Sequence, residues 1–133
     1  MTALEKLALS AEITLAYVQV RWLMRRGDLR AALAKLRSGG RPPGAAERGA
    51  AVALAGRLGS IVDGRLRHLP GDTRCLARSL VLVKLLARRG LPDSVVVIGV
   101  RTAPAFGAHA WVELEGRSLL QPIEAGGSRL VEL

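Results

Sequence analysis

The sequence predicts an α+β fold, in which N-terminal helices lead to a further helix packed on a small antiparallel sheet. Two observations predict it. Apolar residues recur at three- and four-residue steps as far as about Arg89, and after Gly90 and Pro92 the period falls to two or gives way to a continuous apolar run. At 133 residues the chain is the size of one ordinary domain. We therefore expect a single domain over 1–133, helical over 1–66, with a last helix and the sheet over 72–133.

The first helix spans Thr2 to about Arg26, where Leu4, Leu7, Ala11, Leu15, Val18 and Trp22 form one stripe. It ends at Arg25-Arg26-Gly27, where cations meet the negative end of the helix dipole. Asp28 can cap a second helix carrying Leu29, Leu33 and Leu36, which stops at the linker SGGRPPG, Ser38 to Gly44. The third, about Ala45 to Leu66, sets Val52, Ala55, Leu58, Val62 and Leu66 on one face, and its alanines and glycines allow close approach of neighbours. The fourth runs from about Arg74 to Arg89, with Asp72 or Thr73 as N-cap and Leu76, Leu80, Val83 and Ala87 inward. Val95 to Val100 then reads as a central strand and Ala108 to Leu114 as an alternating one. A turn at Glu115-Gly116 leads to a third strand, Ser118 to about Ile123, and after Gly126-Gly127 to a short edge strand from Arg129 to Leu133.

Composition narrows the functions. No uncharged apolar stretch approaches the roughly eighteen residues of a membrane span. Glu5, Lys6 and Glu12 interrupt the apolar start, so no secretory signal is expected. One cysteine excludes an internal disulfide and a cysteine-based zinc site, and fits a reducing compartment, the cytoplasm. The net charge of +9 suits nucleic acid, an anionic surface or an acidic partner. Two tryptophans, one tyrosine and one phenylalanine offer almost no base-stacking platform, and the basic residues are scattered, so most are read as solvating helix faces. We expect neither a nucleic-acid nor a membrane partner. No phosphate-cradling glycine loop or metal-ligand cluster occurs, and no cofactor is expected.

Cys75 falls in the first turn of the fourth helix, where unpaired backbone N–H groups and the dipole favour a thiolate. His109 begins the alternating strand, sharing a face with Trp111 and Glu113, while Ala108, Ala110 and Val112 take the other, inward one. A cysteine at a helix start and a histidine on a strand that packs against that helix form the pairing used for acyl transfer. A third group would orient the histidine, and the hairpin turn decides which residue lies opposite. A three-residue loop pairs 109 with 121 and sets Gln121 against His109; a two-residue loop pairs 110 with 121 and turns Gln121 to the opposite face. Glu113 lies roughly 13 Å along the strand from His109, too far for contact. His68 is given no role, Arg25-Arg26 and Arg88-Arg89 are read as compensating helix ends, and Trp22 and Trp111 as core or groove-lining.

The segment RCLARSLVLVKLLARRGLP, followed by VVVIGV and then FGAHAWVELEGRSLL, resembles the lasso-peptide maturation peptidases of the transglutaminase-like, papain-like superfamily. The match spans about Asp72 to Pro122. The resemblance implies a transglutaminase/papain-like core and a stand-alone leader peptidase acting on a precursor peptide. Its implied partners are a small leader-recognition protein and a lasso cyclase. Cys75 and His109 match the family's nucleophile and base. The third catalytic position, usually an aspartate, falls on Gln121, whose carbonyl can accept a hydrogen bond but supplies no full charge; Glu124 or a water are the alternatives. Two rival readings remain: a transglutaminase-like acyl transferase, and a basic scaffold or nucleic-acid-binding module with an incidental cysteine.

Overall fold

A computed structural model describes residues 2–38, 45–67, 74–101, 107–119 and 127–133. The element order is four helices and then four strands: α1 (Ala3–Arg25), α2 (Leu29–Arg37), α3 (Ala45–Leu66), α4 (Arg74–Arg88), β1 (Val95–Arg101), β2 (Gly107–Leu114), β3 (Arg117–Ser118) and β4 (Gly127–Glu132). The fold is α+β, as the change of period predicts.

Helix boundaries follow local chemistry. At the start of α1 a capping box closes: Glu5 N–H donates to Thr2 Oγ1 at 3.1 Å, and Thr2 N–H donates to Glu5 Oε2 at 2.8 Å. Asp28 accepts from the N–H groups of Arg30 and Ala31 and starts α2. Helix α4 ends in a Schellman motif, with Gly90 at φ +82°, Gly90 N–H on the Ala87 carbonyl and Leu91 N–H on that of Leu86.

The core forms around α4. Leu80 to Val83 and Leu85 to Ala87 are all fully buried, so α4 is covered on every side rather than along the one stripe its spacing suggests. Helices α1, α2 and α3 each pack on it, and its remaining side rests on β2 and β1. From α2 it receives Ala32, Leu33 and Leu36; from α3, Ala55, Leu58, Val62 and Leu66.

Helix α1 carries two apolar stripes. Its core face is Leu9, Ile13, Ala16, Val20 and Leu23. The stripe formed by Leu4, Leu7, Ala11, Leu15, Val18 and Trp22 lies on the opposite side, with Leu4 79 % exposed and Leu7, Leu15, Val18 and Trp22 all at least half exposed. Both stripes satisfy the helical period, and burial goes to the one that meets α4.

The sheet is antiparallel throughout, in the order β3-β2-β1-β4. Cross-strand partners share a face, so Val96 and Val112 lie on one and Val97 and Trp111 on the other. All four are buried, so the middle of β2 is covered on both faces, not only on the one bearing the small residues. Strand β4 forms an edge, as expected of the C-terminal segment, with an irregularity opposite Ile98 and Gly99. The turn between β2 and β3 has two residues: Glu115 and Gly116 have φ of +52° and +80°, and Leu114 pairs with Arg117. Pairing continues to Leu119, whose N–H donates to Val112 O at 2.8 Å. The rest of the expected third strand lies outside the described residues.

Candidate active site

Two ion-pair groups fix how the layers align. Arg48, in the first turns of α3, binds both Asp93, just beyond α4, and Glu115, just beyond β2. Near the other end of α3, Asp63 pairs with Arg78, one turn into α4. Hence α3 runs antiparallel to α4, while α4 and β2, which pack together, end beside the same guanidinium and run in the same direction. From Cys75 to the end of α4 the helix rises about 20 Å. From His109 to Glu115 the strand rises about 20 Å as well. Cys75 and His109 therefore stand at the same end of the α4–β2 layer, opposite the Arg48 cluster.

Cys75 is the second residue of α4, half-buried, and its sulfur is free. First-turn N–H groups have no partner within a helix, and that of Cys75 is one of them. Its carbonyl accepts from Ser79 Oγ at 2.8 Å, and Ser79 is fully buried, which ties the reactive turn to the core. His109 is half-buried on β2, level with Gly99 of β1. On its face Trp111 follows, 5 % exposed, its indole N–H donating to Glu113 Oε2 at 2.8 Å. Glu113 thus holds a tryptophan and stays clear of His109, in keeping with its distance along the strand.

Gln121, His68 and Glu124 lie outside the described residues. The two-residue turn bears on Gln121 all the same. It is the register that pairs 110 with 121, so the hairpin argument that would set Gln121 against His109 does not apply. What remains for Gln121 is the resemblance alone.

Sequence reading missed the pair Asp63–Arg78. Arg67, one turn on from Asp63, also approaches it, at 3.7 Å. Arg78 lies three residues past Cys75 on the same helix face, and its Nε is buried without a partner among the described residues. The spacing was available as a signal, but the partner comes from a helix whose direction only the fold fixes. Arg89 likewise does more than compensate a helix end: it holds Glu12 of α1 through two hydrogen bonds of 2.8 and 3.0 Å. Trp111 is core, as one of its two readings has it, whereas Trp22 is half exposed beneath the Arg26 guanidinium, 4.1 Å from its ring centre.

A lone sulfur at a helix start, a strand imidazole at the same end and a central helix packed on an antiparallel sheet are the parts of a thiol acyl-transfer fold. A family model, the transglutaminase-like superfamily, matches residues 14–129. The chain belongs to the transglutaminase-like superfamily. The match takes in the second half of α1 and all of α2 and α3, so the helical part from there on belongs to the family unit. No curated protein and no solved structure matches significantly. Members of this superfamily act as cysteine peptidases or acyl transferases, and the chain carries the residue types that such chemistry uses. Among the described residues no helix is long and apolar enough to cross a membrane.

Proposed function

We propose that the chain is a cysteine peptidase that removes the leader from a lasso-peptide precursor in the cytoplasm. The observation that carries this reading is the common end shared by the α4 start, with Cys75, and the β2 start, with His109, in a chain of the transglutaminase-like superfamily. The sequence RCLARSL…FGAHAWVE supplies the finer resemblance to lasso maturation peptidases.

In this reading His109 takes the Cys75 proton as the sulfur attacks the scissile carbonyl, and the Cys75 N–H donates to the oxyanion. The C–N bond breaks, His109 returns the proton to the leaving amine, and an acyl-enzyme thioester remains. Water then attacks it, giving the leader a carboxylate and Cys75 its thiol. On the resemblance alone, Gln121 is the residue assigned to orient His109 through its carbonyl. A leader-recognition protein delivers the precursor, and a cyclase takes the released core.

The test is cleavage of a precursor peptide by the purified chain with its recognition protein, followed by mass spectrometry. Hydrolysis at the leader–core junction, lost by about a thousandfold or more in Cys75→Ala, is the expected result. Incorporation of an amine instead of water would identify the acyl-transferase alternative. Cleavage that persists in Cys75→Ala would refute the assignment. For Gln121 the expectation is a modest loss in Gln121→Ala and an equal or higher rate in Gln121→Asp.

A further inference from the structure

The exposed side of α1 has a pattern that nothing within the described fold uses. Leu4, Leu7, Ala11, Leu15, Val18 and Trp22 lie within a narrow arc, diametrically across the helix from the buried face. Five of these are large and half to four-fifths exposed, and together they present on the order of 600 Å² of surface, the upper end of what a monomer usually shows in one patch. Its narrowness matters. An arc this slim is the seam of a helix pair, whereas a helix lying in a lipid interface presents a broader apolar face.

The seam is nearly palindromic. Reversed about position 13, Leu4 maps onto Trp22, Ala11 onto Leu15, and Leu7 onto the residue next to Val18. An isologous two-fold contact requires such self-complementarity, because the same patch serves both partners. Here it sets the one small residue, Ala11, opposite the Leu15 side chain, twice by symmetry, and Leu4 opposite Trp22. Charge fixes the direction. The antiparallel arrangement keeps the basic last turn, with Arg25 and Arg26, away from its own copy, sets it against a first turn in which Glu5 and Lys6 balance, and opposes the helix dipoles. A parallel pair would set Arg21, Arg25 and Arg26 against their own copies. Two such faces would bury about 1,200 Å², where specific interfaces begin.

We propose that α1 is a homodimerisation helix, pairing antiparallel with α1 of a second copy through Leu4, Leu7, Ala11, Leu15, Val18 and Trp22. The inference does not rest on the chemistry assigned to Cys75. Because each copy carries +9, association strengthens as salt rises, whereas binding to an acidic partner or an anionic surface weakens.

Sedimentation velocity at about 0.1 M and about 1 M salt tests this. The expected result is a species of twice the chain mass, more populated at high salt, accompanied by a blue shift of Trp22 emission. The double variant Leu7→Lys, Leu15→Lys should be monomeric with unchanged circular dichroism, since both residues are exposed. In a Cys75→Ala background, mixing Ala11→Cys chains with Leu15→Cys chains should give the mixed disulfide in preference to either homodisulfide. A monomer at every concentration and salt, a dimer indifferent to the lysines, or a preference for homodisulfides would overturn the proposal. So would a monomer that binds phosphatidylserine vesicles through the same leucines.

Discussion

The two ends of α4 are built differently. At its C-terminal end Gly90 closes the helix, Arg89 holds Glu12 of α1, and Arg48 joins Asp93 to Glu115. Nearby, Arg37 donates to the carbonyls of Ser94 and Leu133 at 2.8 and 2.7 Å. Three helices and the sheet are thus tied together there. At the N-terminal end the described attachments are Ser79 beneath the Cys75 carbonyl and the Asp63–Arg78 pair. The comparison teaches a division of labour: one end fixes the register of helix on sheet, which leaves the other free to present a half-buried thiol at the start of a helix.

If that division holds, damage at the two ends should differ in kind. The largest effect on stability is expected from Leu86→Ala at the locked end. Leu86 is fully buried, and its truncation should cost about 2–5 kcal/mol. The measurement is denaturant unfolding, with cleavage per folded molecule unchanged. Asp63→Asn at the reactive end should cost less, roughly 1 kcal/mol, because both partners keep some exposure to water. Its distinguishing effect is kinetic. It releases the turn that follows Cys75, so kcat should fall severalfold with KM little changed, and equal loss of kcat at both ends would erase the distinction.

How much of this was legible beforehand follows from what each feature depends on. Helix limits depend on neighbours in sequence. Thr2 with Glu5, Asp28, and Gly27 and Gly90 at positive φ mark them within a residue or two of the expected places. The core face of α1 depends on which helix it meets, and two opposite stripes of equal period left that open. The sheet register depended on whether Leu114 joined the turn. Glu115 adopts the left-handed conformation that a two-residue turn requires, an uncommon state for a glutamate, and the three-residue loop on which the hairpin argument for Gln121 depended is not the one formed. Asp63–Arg78 was out of reach because it needs the antiparallel course of α3 along α4.

The smallest expected effect concerns pH at the locked end. The hydrogen bond from Arg48 holds the Asp93 carboxyl below its usual range, and it holds the Arg48 guanidinium above its own. A carboxyl lowered in the folded state contributes stability above its unfolded value of about 3.9, and that stability fades as pH falls through the folded value. Thermal unfolding followed from pH 7 down to about pH 3 should show the decline. Arg48→Ala should flatten the Asp93 part of it and leave neutral-pH cleavage close to that of the parent.

The central claim is that the thiol of Cys75 and the imidazole of His109 act on one another. Because Cys75 is the single cysteine, its alkylation rate by iodoacetamide reports on that sulfur alone. Measured across pH 5–9 in the parent and in His109→Ala, the account predicts that removing the imidazole slows alkylation near neutrality by about tenfold or more, with the gap closing toward pH 9. Superimposable profiles would contradict it.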